Sequence, residues 1–523
     1  MKRWVDVYIR KETLPHNQRL YNNTDHGIDE TLPLLSEQAI AILLQQFDYC
    51  DAALERIKEG HWTEPLPTCP VQMATSLCNF LEFFIKNRHS IPCFAWEEKF
   101  ADQEDSKEAK EAKDSWIKKL RASFGMAFFW SFGASFHTDF QRQIDAMCRD
   151  FFGFLKIDGS GYVLDYFLDE KEIKFKPWSL KVKDFKYDAA APYFSLLVPT
   201  VDTTRYSAIL DMLVTVKKHI FFTGSTGVGK SVIIQKYLAQ NQDRQDLAVI
   251  NISFSAQTTS KMTQETIESK LGSKAGKDKI GPGGKKTAVI FVDDINMPLV
   301  EEYGAQPPIE LLRQMLDMGG IYNRSPHFWK DIDRFLLMAA AAPPTGGRYP
   351  LTPRIMRHFQ IFNLPDPSED AMHQIFFGIL DGFLTQTVGF IDKVRAASKM
   401  AVAATIDMYS QIKENKGLKP IPTKFHYTFN LRDVAKVFQG ILMVMPQSCQ
   451  TLEQFAKLWL HECQRVFYDR LVSVEDREIF EELAKDFLLS KFGMKQEQLD
   501  IFGNNSVIFS KILKLDSDEQ LYE

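Results

Sequence analysis

Eight consecutive residues, Gly224, Ser225, Thr226, Gly227, Val228, Gly229, Lys230 and Ser231, carry the pattern G-x-x-x-x-G-K-[ST]. That spacing suits one chemistry, the cradling of a polyphosphate. The glycines let the backbone turn so that successive N–H groups point into one concavity; Lys230 then reaches the β- and γ-phosphates and the Ser231 hydroxyl is a Mg²⁺ ligand. A strand must precede such a loop and a helix must follow, because the helix N-terminus adds a favourable field for an anion. The apolar run Ile220-Phe221-Phe222 and the helix-like stretch from Val232 to Leu238 supply both.

The same site needs a carboxylate at the end of a neighbouring strand. Ala288-Val289-Ile290-Phe291-Val292-Asp293-Asp294 provides one, with Asp293 placed to hold Mg²⁺ directly or through water. Hydrolytic sites of this class usually carry Glu next, as the base that orients water, and Asp294 is one methylene shorter. Where catalysis is mostly positioning, a displacement of about 1 Å can cost on the order of 100-fold.

Composition bounds the rest. A chain of 523 residues has room for roughly three or four domains by length alone. Hydrophobic residues at 45% and charged residues at 25% are those of an ordinary globular protein. A formal net charge of −5 argues against a nucleic-acid-binding face, which needs an evident basic excess. The seven cysteines are scattered, without a C-x-x-C pair, so neither a disulfide scaffold nor a zinc site is indicated and a reducing compartment is the simpler reading. No signal peptide or membrane span is expected; the most apolar stretch, Phe124 to Phe136, runs thirteen residues where a span needs about 18.

Texture divides the chain into four parts. Residues 1–150 read as helical, with apolar residues at helical spacing in Ala39–Leu44 and Leu77–Ile85. Residues 151–365 alternate short apolar runs with helical patterns, as an α/β sheet domain does. Residues 366–475 return to helix, and 476–523 read as a helical linker. The basic, Gly-rich segment Gly272–Lys286 and the charged stretch Ala101–Glu111 read as exposed loops or faces, and His461-Glu462 as a helix face.

Several longer runs carry a family resemblance. They are Leu197–Tyr206, Phe291–Pro298, Tyr303–Gln314, Pro343-Pro344, Leu351–Phe359, Tyr427–Asp433 and Leu458–Glu462. Together they resemble the dynein heavy chain, of the axonemal subfamily, around its third AAA+ module. The resemblance implies a P-loop NTPase of AAA+ type, a parallel sheet flanked by helices, with an α-helical lid at 366–475 and the small helical subdomain of the second module before it. It implies ATP or ADP with Mg²⁺ as cofactors. It places Val198, Pro199 and Thr200 by the adenine, and Arg432 as the sensor-2 arginine that couples the lid to the nucleotide. Arg354 and Arg357 fall where the family's arginine finger lies; one of them reaches the preceding module's site, with Arg354 favoured and Arg357 the alternative.

The resemblance also implies partners and a place. These are the neighbouring modules of the ring, and in the full complex intermediate and light chains and microtubules, in the cytoplasm, cytoskeleton and ciliary or flagellar axoneme; no nucleic acid or membrane is implied. A polar sensor-1 residue is expected at the end of a further strand, yet Leu336–Pro344 offers Ala342 there. With Asp294 in place of Glu and Ala342 in place of Asn, water positioning is weakened while Lys230, Ser231 and Asp293 remain to bind Mg-ATP, and the expectation is a weak ATPase that binds better than it turns over. The alternative is a nucleotide-occupied regulatory module without turnover. No second phosphate loop and no heptad stalk are found, so the chain is expected to be a fragment or a short product rather than a whole motor.

Overall fold

A computed structural model describes residues 37–86, 107–273, 278–284, 286–325, 327–345, 347–499, 507–510 and 522. The expectations for the extreme N-terminus, for residues 101–106 of the charged stretch, and for 274–277 and 285 of the basic segment lie outside the described residues.

Helices come first: α1 (Glu37–Gln46), α2 (Asp48–Glu59), α3 (Pro70–Lys86), α4 (Lys107–Gly133) and α5 (Gln141–Phe151). The most apolar stretch of the chain lies in α4, where Phe124, Phe128, Phe129, Trp130 and Phe132 are buried and the Phe128 and Phe132 rings stack at 4.7 Å. Such rings bring large apolar area to a core. Among the described residues no helix is long and apolar enough to cross a membrane. Gln72 on α3 donates to the carbonyls of Met356 (2.7 Å) and Phe359 (2.8 Å), and Lys218 pairs with buried Glu82 at 2.8 Å, so this helical layer is fastened to the sheet region.

The α/β part begins with a hairpin, β1 (Tyr166–Asp169) and β2 (Lys174–Pro177), then α6 (Val201–Thr215). There follow β3 (Ile220–Thr223), α7 (Lys230–Asn241), β4 (Leu247–Ser253), α8 (Ser260–Lys270), β5 (Gly272–Ser273), β6 (Lys279–Gly281) and β7 (Thr287–Asp293). It closes with α9 (Pro307–Met318), β8 (Gly320–Tyr322), β9 (Trp329–Ile332), β10 (Phe335–Ala340), α10 (Pro353–Met356) and β11 (Gln360–Asn363). The main sheet is all parallel in the order β11-β3-β10-β7-β4, and β5-β6-β9-β8 form a smaller one. Unbroken apolar runs in β3, β7 and β10 fit strands covered on both faces. Because Met338 of β10 registers with Ile220 on one side and Phe291 on the other, the C-terminal ends of β3, β10 and β7 share one edge. Open parallel sheets bind ligands at that edge.

The remaining helices are α11 (Glu369–Gln386), α12 (Asp392–Glu414), α13 (Leu431–Ile441), α14 (Leu452–Val466) and α15 (Val474–Ser490). The starts of α11, α13, α14 and α15 are capped by Ser368, Asn430, Thr451 and Ser473, whose side chains accept backbone N–H groups of the first turn. Their core holds Phe438, Trp459 and Tyr427, and the Trp459 indole donates to Thr405 at 2.8 Å. Phe480, Ala484, Phe487 and Leu488 of α15, in the segment read as a helical linker, belong to the same core.

The described residues fall into two compact units. One holds those up to Leu180 with Thr203–Ser225 and Gly229–Asp366; the other holds Lys181–Asp202, Thr226–Val228 and those from Pro367 onward. The segment 181–202, expected in the sheet domain, thus clusters with the helices.

Candidate functional site

The loop after β3 is shaped by its glycines. Gly224 has φ +141°, and a Cβ there would lie 2.5 Å from the carbonyl oxygen of Leu364. Only glycine meets both conditions. At Gly227, φ is +92° and a Cβ would stand 3.5 Å from the backbone nitrogen of Arg432, a contact between residues that cluster together in the helical unit. Behind the loop α7 begins at Lys230, so its first free N–H groups face the loop's concavity.

Lys230 is only 8% exposed. Its Nζ donates to the carbonyls of Gly224 and Ser225, each at 2.8 Å. Burial pulls the amine down to about 8, against the attraction of Asp294 and Asp293. An amine kept in such surroundings is satisfied far better by an anionic ligand than by two neutral carbonyls.

The end of β7 faces the start of α7. Ser231 Oγ donates to Asp293 Oδ1 at 2.7 Å, and the Asp294 N–H donates to the same oxygen at 3.1 Å. Burial raises the Asp293 carboxyl above its usual range; the Ser231 hydrogen bond works against it. Hydroxyl and carboxylate oxygens side by side are hard donors suited to Mg²⁺. The residues therefore fit a Mg-nucleotide: a glycine cradle, a buried lysine and an oxygen pair meet on one edge.

Asp294 sits in the left-handed region at φ +50°. Beyond it the chain turns tightly, with the Met297 N–H on the Asp294 carbonyl at 3.0 Å. Ala342, two residues past the end of β10, is buried and offers this edge a methyl group and a carbonyl. That carbonyl accepts from Asn296 Nδ2 at 2.8 Å.

Comparison with known proteins supplies the family. Residues 185–367 match the P-loop containing dynein motor region, residues 42–180 the dynein heavy chain AAA lid domain, and residues 401–500 an AAA+ lid domain. The chain is 37% identical over 496 residues to human dynein axonemal heavy chain 6, covering 94% of this chain and 11% of that protein. It is 31% identical over 525 residues to human dynein axonemal heavy chain 10, covering 96% and 11%. To the ciliary dynein beta chain of Tripneustes gratilla it is 35% identical over 368 residues, covering 70% and 8%. The chain belongs to the dynein heavy chain family. It spans a small part of the length of the curated dyneins it matches, and its fold is the AAA+ P-loop motor domain with its lid.

The remaining candidate residues can be placed within this dynein fold. Val198 and Thr200 are buried in the helical unit, where Gln374 of α11 donates to the Pro199 carbonyl at 3.0 Å. Arg432 lies in the first turn of α13, its N–H held by Asn430 Oδ1 at 2.9 Å and its side chain exposed. Arg354 lies in the first turn of α10 and Arg357 is its C-cap, and both are exposed. They differ in their surroundings. Arg357 donates to Asp317, which also holds Arg313 (2.6 Å) and His358 (2.9 Å), whereas Arg354 makes no ion pair with any described residue.

Sequence reasoning did not single out Asn296 or Arg348. Asn296 stands in the run Asp293–Pro298, and its burial depends on the loop after β10 folding over it. Arg348 precedes Tyr349, whose N–H reaches Asn296, and no local pattern marks it as a neighbour of the acidic turn.

Proposed function

We propose that this chain is the ATP-binding AAA+ module of a microtubule motor, with Mg²⁺ as its metal, whose nucleotide state sets the conformation of the dynein ring. The reading is carried by the meeting of Lys230, Ser231 and Asp293 on the carboxyl edge of a parallel sheet. The loop Gly224–Ser231 and Lys230 bind phosphate. Ser231 and Asp293 would hold the Mg²⁺, which when bound neutralises phosphate charge. Val198, Pro199 and Thr200 border the adenine, Arg432 couples the lid to the phosphates, and Arg354 serves the preceding module. The relatives are named as axonemal and ciliary dyneins, which supports a setting in the cytoskeleton of a cilium or flagellum, with neighbouring modules, intermediate and light chains and microtubules as partners of the whole protein.

Hydrolysis in this module is slow. Asp294 is short for a water-orienting base and Ala342 has no side-chain polar atom, so neither fixes the attacking water, while Lys230, Ser231 and Asp293 remain to bind Mg-nucleotide. A second reading, a nucleotide-occupied regulatory module without turnover, draws on the same apolar Ala342. Size-exclusion chromatography with a nucleotide-content assay tests the binding claim, and a stable monomer that neither carries nor takes up nucleotide would sink it. Asp294→Glu separates the two readings: a rise in ATP turnover supports a hydrolase limited by reach, and background turnover with nucleotide retained supports the regulatory module.

A further inference from the structure

The loop that follows β10 is stitched to the acidic turn at both of its ends. At one end Asn296, fully buried and three residues beyond Asp293, donates through Nδ2 to the Ala342 carbonyl at 2.8 Å. At the other, the Tyr349 N–H donates to the Asn296 carbonyl at 3.1 Å. A further bond, from the Ile295 N–H to the Ala340 carbonyl at 3.2 Å, ties the turn to the strand itself. Strand order fixes where this loop emerges. β10 lies between β3 and β7, all three parallel, so the loop leaves the sheet between the phosphate loop on one side and Asp293-Asp294 on the other.

Arg348 is the residue before Tyr349, so the Tyr349–Asn296 hydrogen bond sets its backbone beside the acidic turn. It is partly buried, and its Nε is shut off from solvent without a hydrogen-bond partner. A cation with a buried donor left unsatisfied is unfavourable unless an acceptor or anion reaches it. The planar guanidinium offers a fork of donors that matches phosphate oxygens.

We propose that Arg348 is a further ligand of the nucleotide, binding its terminal phosphate from the gap between the phosphate loop and the acidic turn, with Asn296 as the residue that positions it. The inference rests on the ATP-binding reading and deepens it: Arg348 supplies from the same module the polar contact that Ala342 lacks. A guanidinium cannot act as a base at neutral pH, so this contact strengthens binding without restoring water activation.

Titration of the full chain with fluorescent ATP and ADP analogues, alongside a melt without nucleotide, tests it. Arg348→Met weakens ATP binding about 10- to 100-fold, the range of one charge-assisted hydrogen bond, changes ADP binding by less than about 3-fold on the same scale, and leaves the nucleotide-free melt in place. Arg348→Lys falls between, because a point charge replaces a fork. Asn296→Ala reproduces the selective loss of ATP affinity with Arg348 intact. Unchanged ATP affinity in Arg348→Met, or equal losses of ATP and ADP affinity with a lowered melt, overturns the assignment and leaves the ATP site standing. Absence of binding by the unsubstituted chain overturns both.

Discussion

Ser231 Oγ donates to Asp293 Oδ1 at 2.7 Å across 62 positions of sequence. The bond joins the last residue of the phosphate loop to the last residue of β7, and so fixes two oxygens from separate elements in one place. Neither residue does this alone. The strand gives the carboxylate its position, the helix gives the hydroxyl its own, and β10 between them sets the spacing.

Altering either group is therefore expected to act on bound Mg²⁺ rather than on the fold. Ser231→Ala and Asp293→Asn are each expected to weaken ATP binding about 10-fold or more in the presence of Mg²⁺, the order of one charge-assisted contact, and to leave the metal-free affinity nearly unchanged. Nucleotide titrations with Mg²⁺ and with a chelator check this. An equal loss under both conditions would place these residues outside the metal site.

Asp294 is held in a left-handed conformation at φ +50°. Asp and Asn adopt it far more readily than longer side chains. The residue type at this position thus answers to the turn as well as to chemistry. Asp294→Asn is expected to melt within experimental error of the parent, whereas Asp294→Glu loses on the order of 1 kcal/mol, about 2–4 °C for a unit of this size. Thermal denaturation of the nucleotide-free chain decides it, and a Glu variant as stable as the Asn variant would contradict the backbone argument.

Much of the site was legible in sequence because short spacings encode it. The loop Gly224–Ser231 and the strand ending in Asp293 are each written within a few residues, and covered parallel strands read as unbroken apolar runs. What was not legible depends on strand order and packing. Nothing local places the Arg348 backbone beside the acidic turn; that follows from the loop after β10 bonding back to Asn296. The sign of φ at Asp294 is equally silent in the sequence. His461-Glu462 read as a helix face, yet Glu462 is fully buried, accepting from Tyr522 and from Arg465 at 2.8 Å, and a Cβ on Gly440 would strike it. A charged residue's burial is decided by partners far along the chain, and periodicity does not carry them.

The two candidate finger arginines differ in what restrains them. Arg357 shares Asp317 with Arg313 and His358, while Arg354 is exposed without an ion pair among the described residues. In this chain Arg354→Ala is expected to change stability by less than about 0.5 kcal/mol, and Arg357→Ala by up to about 1 kcal/mol, the range of an exposed pair. In a longer dynein chain that includes the preceding module, Arg354→Ala is expected to cut hydrolysis there by roughly 10³-fold or more, with Arg357→Ala largely sparing it. Turnover measured at that module reverses the assignment if the larger loss follows Arg357→Ala.

The helical unit contains its own pH-sensitive tie. Asp476, buried at 3% exposure, accepts from Tyr427 Oη at 2.8 Å and from Lys424 Nζ, and its own N–H donates to the capping Ser473 Oγ at 3.3 Å. Tyr427 Oη in turn accepts from the Val472 N–H at 2.7 Å, so one carboxylate secures the turn into α15. Burial opposes ionisation of Asp476, and the hydrogen bonds from Lys424, Ser473 and Tyr427 outweigh it, leaving the carboxyl below its usual range. A folded-state value below the unfolded one means that the unfolded chain binds the extra proton first as pH falls. The stabilisation is complete above the ordinary carboxylate value of about 4, and it drains away as pH drops through that value toward the folded one. Hydrogen exchange across Lys424–Arg477, followed from neutral pH into acid, is expected to show protection in the parent that weakens below this point. Asp476→Asn starts with less protection and loses little more, since its amide does not titrate. Parallel acid profiles for the two chains would show that the carboxylate does not hold the α15 turn.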